Sequence, residues 1–367
     1  MNTSATFAAA FCITVGVASF VNCRKASKEV LTAQIRGAAL AHVHVRGKGY
    51  GSGTSAALLK RLSLHGINLI QLNPFGYQPA VHDRRILFND ATLSDEDLKR
   101  EIQAVHANGM KVMLAPHIWL DQRHNAPWRS QLDYQNPDEI LQWFAAYEKF
   151  ILHYANIARE TKAEIFAVGV ELERLAKNAD AFRRIIRNVR ANGYAGLITY
   201  ECEAWNAENI AFWDDLDFIG LNMYYAFGAE PRTESDHKFH ELVAFQQQKL
   251  LFHARHAQRL GKPWIITEFG YPAHDKAISQ TSAWPDRMQA RDDQAQYIGF
   301  RAMEFALTHM KDQAAPQAAG IIFWKYVTTL DSYEAKNYAT DFILQGKPAE
   351  KVLLRMAQSA AKRTSPR

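Results

Sequence analysis

Short apolar runs alternate with longer amphipathic stretches along almost the whole chain. The runs are rich in β-branched and aromatic residues, as in residues 165–170 and 264–268, and this composition is typical of buried strands. The stretches between them carry apolar residues at helical spacing, as in residues 137–161. The pattern therefore predicts strands and helices in strict alternation.

Eight strand–helix pairs can be placed on the sequence. The predicted strands are residues 40–45, 68–73, 111–117, 165–170, 196–200, 217–222, 264–268 and 320–324. The predicted helices are residues 55–65, 94–108, 137–161, 178–192, 207–213, 238–260, 292–310 and 348–362. Alternation without a block of strands alone predicts an α/β fold, a single (β/α)8 TIM barrel over residues 25–367.

A doubly wound open sheet is the alternative fold for such a pattern. The glycines after the first predicted strand, Gly47, Gly49, Gly51 and Gly53, lack the spacing of a dinucleotide-binding turn. The lysine that a phosphate-binding loop requires after its glycines is also absent at that spacing. The barrel is therefore the favoured prediction.

The first 24 residues differ in composition from the rest of the chain. Residues 7–21 form an uncharged apolar run, followed by Arg24 and Lys25. A membrane span needs about 20 apolar residues, so a run this short fits a secretory signal better. Cleavage after Ser19 is one outcome, and lipidation at Cys23 or retention as a membrane anchor are the others. We predict an exported protein with residues 1–24 as signal peptide or N-terminal anchor.

Charge and cysteine content narrow the function further. The formal net charge is +5, and acidic and basic residues are interspersed, so nucleic acid is not an expected partner. Cys12 and Cys23 lie in or beside the leader, which leaves Cys202 without an internal disulfide partner. No Cys and His stand at metal-ligand spacing, so neither a metal nor an organic cofactor is expected. We expect a monomer.

Two glutamates stand at the ends of apolar runs that are far apart in the chain. Glu171 follows residues 165–170, and Glu268 ends residues 264–268. In a parallel barrel the carboxyl ends of the strands share one face, where active sites are built. Two carboxylates that face one pocket match a retaining glycosidase, whose acid/base and nucleophile lie roughly 5 Å apart. A salt bridge at the barrel rim is the alternative interpretation.

Aromatic and polar residues gather at the same strand ends. Sugar sites need flat apolar rings beneath C–H faces and hydrogen-bonding groups at the hydroxyls. The candidate rings are Trp119, Trp205, Tyr224 and Trp324, and the candidate polar groups are His117, Glu201 and Asn222. Each has a structural alternative, such as a ring that closes the core. Glu173 lies beyond the strand end and is interpreted as charge in the first turn of a helix.

These motifs resemble glycoside hydrolase family 113. The segment Val168-Gly169-Val170-Glu171-Leu172 looks like the family's fourth strand, and residues 113–119 resemble its third strand. Residues 265–271 look like the nucleophile strand of clan A glycoside hydrolases in general, and residues 344–349 resemble the family's last barrel turn. The similarity spans roughly residues 37–354.

The resemblance implies a carbohydrate substrate and named roles for several residues. It implies hydrolysis of β-linked hexose chains with retention, with β-1,4-mannan as the family's substrate. Glu171 would be the acid/base and Glu268 the nucleophile, with the sugar lined by His117, Trp119, Tyr224 and Trp324. Most clan A enzymes carry an Asn before the acid/base, where this chain has Val170. Another group, Asn222 or His117, must then bind the sugar 2-hydroxyl.

Two other functions remain open at this point. The first keeps the chemistry and changes the sugar, to β-glucan or galactan, or changes the acceptor, as in a transglycosylase. The second is a non-catalytic carbohydrate-binding protein on the same scaffold, because a fold alone does not establish activity.

Overall fold

The computed structural model describes residue 31 and residues 34–88, 93–120, 127–282, 290–310, 316–331 and 339–364. Its strands in chain order are β1 (Ile35–Ala41), β2 (Leu69–Leu72), β3 (Phe75–Gln78), β4 (Lys111–Leu114), β5 (His117–Leu120), β6 (Ile165–Val170), β7 (Leu197–Glu203), β8 (Ile219–Asn222), β9 (Trp264–Phe269) and β10 (Gly320–Val327). Its helices are α1 (Gly53–Leu64), α2 (Asp95–Ala107), α3 (Pro137–Thr161), α4 (Glu173–Ala176), α5 (Ala179–Ala191), α6 (His237–Leu260), α7 (Asp293–Thr308) and α8 (Pro348–Thr364).

Eight of these strands form a closed parallel barrel. Their order around it is β1, β2, β4, β6, β7, β8, β9 and β10, and β10 pairs with β1 to close the ring. The two other strands, β3 and β5, pair in parallel as a separate two-stranded sheet. The predicted (β/α)8 barrel is confirmed.

Local sequence explains where the principal helices begin and end. α2 begins at a capping box, in which Ser94 accepts from the Asp97 amide while the Asp97 carboxylate accepts from the Ser94 amide. Asn136 caps the start of α3, and proline occupies the first helical position, where a missing amide hydrogen costs nothing. α6 ends at Gly261 with φ 61°, a left-handed conformation that glycine adopts without strain.

Two layers of apolar side chains hold the barrel together. Alternate residues of β6 belong to different clusters: Ile165 and Ala167 lie inside the barrel, whereas Phe166 and Val168 pack outward against the helices. All four are fully buried. Burying a large aliphatic or aromatic side chain contributes about 1.5–3 kcal/mol to the stability of the fold. Because helices cover the outside of the barrel and side chains fill its inside, its strands are apolar on both faces.

Strand register brings the polar strand ends to one level. Val170 of β6 lies opposite Glu201 of β7, and Asn222 of β8 lies opposite Glu268 of β9. Glu171 directly follows Val170 and its amide donates to the Glu201 carbonyl at 2.8 Å. Four polar side chains from four neighbouring strands therefore meet at the carboxyl end of the barrel.

Three of the predicted elements were wrong in place or type. The first strand is Ile35–Ala41 rather than 40–45. The charged Arg36 does not fit the pattern of a buried strand, but its side chain donates to the Gly66 carbonyl, so the barrel accommodates it. The third strand stops at Leu114, and His117 begins β5 of the separate sheet. The predicted helix 207–213 is replaced by 3-10 turns at Ala204–Asn209 and Trp213–Asp215.

The predicted leader, residues 1–24, lies outside the described residues. Within the part of the chain that the structure describes, no helix combines the length and apolarity needed to cross a membrane. Cys202 is a buried free thiol.

Candidate active site

Glu171 occupies an unusual backbone position at the end of β6. It is 4% exposed, and its φ is +49°, in the left-handed region that costs a residue with a Cβ roughly 1–2 kcal/mol. Strained backbone of this kind gathers at functional sites, where the surrounding structure holds it in place.

Three donors hold the Glu171 carboxylate. Trp128 Nε1 and Arg129 Nη2 donate to Oε2 at 2.7 and 2.9 Å, and Asn222 Nδ2 donates to Oε1 at 2.9 Å. The orientation of Asn222 is fixed, because its Oδ1 accepts from the Thr267 hydroxyl at 2.9 Å. Charge-assisted bonds of this type are the strong ones in proteins, so Glu171 has one defined position.

Glu268 lies in β9, 3% exposed, and is held by two different partners. The Tyr224 hydroxyl donates to Oε2 at 2.9 Å, and His117 Nε2 lies 3.3 Å from Oε1. Burial raises the pKa of Glu268 to about 7, and the charge of Arg129 and the bond from Tyr224 oppose that rise. The carboxyl group is therefore poised to change protonation near neutral pH.

The contacts of His117 define its tautomer. Its Nδ1 lies 2.7 Å from the Ala115 carbonyl oxygen, which can only accept, so Nδ1 carries the ring proton. Burial and the charge of Arg129 lower the pKa of His117 to about 3, so the ring is neutral. Nε2 is then an acceptor, and its contact with Glu268 is a hydrogen bond when Glu268 is protonated.

Glu201 adds a third carboxyl group to the same space. It is fully buried, its Oε2 accepts from Gln71 Nε2 at 3.3 Å, and its Oε1 has no hydrogen-bond partner among the residues that the structure describes. Burial, followed by the charges of Glu268 and Glu171, raises its pKa well above the ordinary range. Glu201 therefore binds a proton more readily than an exposed glutamate does.

Glu173 lies in the first turn of α4, as the sequence predicted. Its Oε2 is buried without a hydrogen-bond partner among the described residues, and its Oε1 accepts from the Glu203 amide at 2.7 Å. Burial, then the charges of Glu203 and Glu171, raise its pKa to about 9. The sequence could not show this, because β7 supplies the neighbouring carboxylate.

The predicted aromatic residues fall into an inner and an outer group. Trp324 stacks on His117, with ring centroids 6.1 Å apart and planes at 17°. Trp119 on β5 packs edge-on against Trp128 at 6.3 Å. Trp205 lies in the turn after β7, 47% exposed, with its ring 6.0 Å from that of Tyr225. Trp324 thus adjoins the carboxyl cluster, whereas Trp205 lies at the protein surface.

The structure brings most of the sequence-predicted residues together and adds others. His117, Asn222 and Tyr224 bond the two glutamates directly, and Trp324 packs on His117. Trp128 and Arg129, which the sequence did not indicate, come from the segment between β5 and α3. Lys325 of β10 also lowers the pKa of Glu268, and its Nζ pairs with Asp341 at 2.9 Å. Trp128 and Arg129 do not follow an apolar run, so the strand-end pattern could not identify them.

The arrangement can do acid–base and nucleophilic chemistry on a bound molecule. Two buried carboxyl groups, Glu171 and Glu268, are held by different hydrogen-bond networks at the ends of β6 and β9, which β7 and β8 separate in the barrel. Such a difference in environment is how two identical side chains acquire two roles.

A family model and several solved structures match this chain. The model of Glycoside Hydrolase Family 113 matches residues 40–347. The β-mannanase AaManA of that family from Alicyclobacillus acidocaldarius, solved in complex with ManMIm, is 26% identical with a TM-score of 0.75. The match covers 89% of this chain and 98% of that one. A comparison with curated protein sequences found no significant match.

More distant structures share the fold alone. A family 113 β-1,4-mannanase is 24% identical, with a TM-score of 0.74 and coverage of 89% of this chain and 99% of its own. A family 5 mannosidase from Rhizomucor miehei is 13% identical, with a TM-score of 0.61 and coverage of 90% and 93%.

Proposed function

The chain belongs to glycoside hydrolase family 113 and is a glycosidase, and from that premise we propose that it hydrolyses β-1,4-linked mannan with retention of configuration. The observation that carries the proposal is the pair Glu171 and Glu268, buried together at the carboxyl ends of β6 and β9 and held by separate hydrogen-bond networks. The structures named above as β-mannanases support the choice of sugar.

In the first step Glu268 acts as nucleophile. Its ionised carboxylate attacks the anomeric carbon, and the bond from that carbon to the leaving sugar oxygen breaks. Glu171 gives its proton to that oxygen, which leaves as a hydroxyl group. The product of this step is a glycosyl ester on Glu268 and an ionised Glu171.

In the second step water replaces the first product. Glu171, now a carboxylate, takes a proton from water, whose oxygen attacks the anomeric carbon. The ester bond breaks and Glu268 leaves as a carboxylate. Two inversions give net retention, and Glu171 is protonated again for the next cycle.

The neighbouring side chains suit these steps. The Tyr224 hydroxyl donates to Oε2 of Glu268 at 2.9 Å and so fixes the orientation of the attacking carboxylate. The neutral Nε2 of His117 can accept a hydrogen bond from Glu268 while Glu268 is protonated. We assign the sugar 2-hydroxyl to Asn222, which is bonded to Glu171, because the side chain of Val170 has no polar atom. Trp324 supplies an apolar ring beside the reacting sugar.

A polymer panel tests the proposal. The purified protein is assayed for reducing sugar on β-mannan, glucomannan, β-glucan, xylan and galactan, with Glu268→Gln as the paired variant. We expect release from β-mannan that is absent in the variant. Release from β-glucan or galactan alone would assign that polymer as the substrate instead of β-mannan. Binding without release from any polymer would favour a carbohydrate-binding protein.

A stereochemical measurement tests the mechanism separately. Proton NMR during the first minutes of hydrolysis shows which anomer is formed before mutarotation. We expect the β anomer first. The α anomer first would exclude double displacement while leaving the glycosidase assignment intact.

A further inference from the structure

Three carboxyl groups share one buried space, and this is a physical problem that the protein must solve. Glu171, Glu201 and Glu268 are each at most 4% exposed, and like charges in a poorly solvated cavity destabilise one another. A positive charge in the same cavity offsets that repulsion. Arg129 lies within it, 5% exposed, with its Nη2 on Glu171.

Arg129 is itself held in a fixed orientation. Its guanidinium carbon lies 4.3 Å from the centre of the Trp128 ring, a cation–π contact. Both side chains donate to the same oxygen of Glu171, at 2.7 and 2.9 Å. The backbone carries Arg129 into a 3-10 turn, Arg129–Gln131. The Trp128–Arg129 pair therefore forms a rigid clamp on one carboxylate.

The charge of Arg129 reaches beyond Glu171. It lowers the pKa of Glu268 and of His117, and it opposes the rise in the pKa of Glu201 and Glu203. A guanidinium has no acceptor and keeps its charge over the working range of an enzyme. It cannot transfer the proton in either step, so any role that it has is exerted through the glutamates.

We propose that Arg129 is a positioning residue of the reaction: its guanidinium holds the Glu171 carboxylate in place and balances the negative charge of Glu268. This rests on the proposed function of the two glutamates. The two donors hold Oε2 of Glu171 in place, so the carboxylate of the second step has a fixed position from which to take a proton from water.

The groups that face Glu268 come from every neighbouring element. They are His117 of β5, Arg129 of the segment before α3, Glu171 after β6, Glu201 of β7, Tyr224 after β8 and Lys325 of β10. Both cations are paired, Arg129 with Glu171 and Lys325 with Asp341, but the charge of Arg129 opposes the rise in the pKa of Glu268 more than that of Lys325 does. Removing the charge of Arg129 should therefore make ionisation of Glu268 harder.

Two substitutions separate the charge of Arg129 from its shape. Arg129→Met removes the charge, and we expect the acidic limb of kcat/KM to move to higher pH by about one unit, which is about tenfold lower activity below the limb. Arg129→Lys keeps the charge and loses the planar fork, so we expect an unmoved limb and a kcat reduced about tenfold. Arg301→Met is the matched control, because Arg301 pairs with Glu234 and Glu304 away from the site; it should lower stability without moving the limb.

A titration that needs no turnover keeps this test independent of the sugar. Carbon-13 NMR of labelled glutamate carboxyls, with the Glu268 signal assigned from Glu268→Gln, should show a higher pKa of Glu268 in Arg129→Met than in wild type. An unchanged pKa there, or an Arg129→Lys variant with wild-type kcat, would overturn the proposal. If the wild-type protein is inactive on every polymer but the pKa of Glu268 is still higher in Arg129→Met, the proposed function is refuted and the role of Arg129 is not. If Arg129→Met does not fold, the Lys variant and its kcat decide.

Discussion

The pH dependence of Glu268 is the prediction that the structure defines most sharply. The nucleophile must be ionised to attack, and burial raises its pKa to about 7 from the ordinary 4.5. The perturbation is simply a change of pH on the wild-type protein. Activity should therefore be lost as pH falls through about 7, well above the value for an exposed glutamate.

The magnitude follows from the shift. A rise from 4.5 to about 7 corresponds to about 3 kcal/mol against the ionised form. One unit below the pKa about one molecule in eleven carries an ionised Glu268, so kcat/KM should fall about tenfold, and about a hundredfold two units below. The Nε2 of His117, which accepts a hydrogen bond from protonated Glu268, should stabilise the inactive form.

The assay is kcat/KM from about pH 4 to pH 9 on a soluble oligosaccharide of the sugar found in the polymer panel. His117→Ala serves as the comparison, since it removes the acceptor for the Glu268 proton and should move the acidic limb to lower pH. A wild-type limb at about 4.5, the value of an unperturbed glutamate, would refute the reasoning.

Three further predictions concern single side chains. Glu171→Gln should lower kcat/KM on polymer by about a hundred- to ten-thousandfold, but far less on an aryl glycoside whose leaving group needs no proton; equal losses on both, measured side by side, would contradict the acid role. Asn222→Ala frees both the Glu171 oxygen and the Thr267 hydroxyl that it bonds, and should cost about 1–3 kcal/mol in the free energy of unfolding, read from urea denaturation; an unchanged midpoint would contradict it. Glu173 has a folded-state pKa of about 9, so stability should fall as pH rises from about 4.5 to 9. Glu173→Gln should make that slope shallower and add about 3 kcal/mol near neutral pH; a variant that keeps the wild-type slope would exclude this.

The barrel could be predicted from the sequence because its strands are buried on both faces. Runs such as Ile165–Val170 and Trp264–Phe269 combine β-branched and aromatic residues that fit no solvated element. The two glutamates could be identified because each interrupts such a run at its carboxyl end. Where polarity entered a strand, as at Arg36 of β1, the pattern failed, because tertiary hydrogen bonds decided the outcome.

The clamp on Glu171 could not be predicted for a different reason. Trp128 and Arg129 lie in a stretch of sequence without periodicity, and their position is set by the bonds that they make to Glu171 in the folded protein. The raised pKa of Glu173 likewise depends on Glu203, which is thirty residues away along the chain. Contacts between loops and neighbouring strands are set by the folded structure, and a single sequence gives no local signal for them.

Covalent trapping tests the central claim most directly. The protein is incubated with an activated 2-deoxy-2-fluoro glycoside of the sugar released in the polymer panel, and the labelled peptide is located by mass spectrometry. The fluorine slows both steps and the good leaving group spares the first, so the glycosyl ester accumulates. We predict one added sugar, attached to Glu268 and absent from Glu268→Gln. A label on Glu171 or Glu201, or inversion of configuration without any label, would contradict Glu268 as the nucleophile.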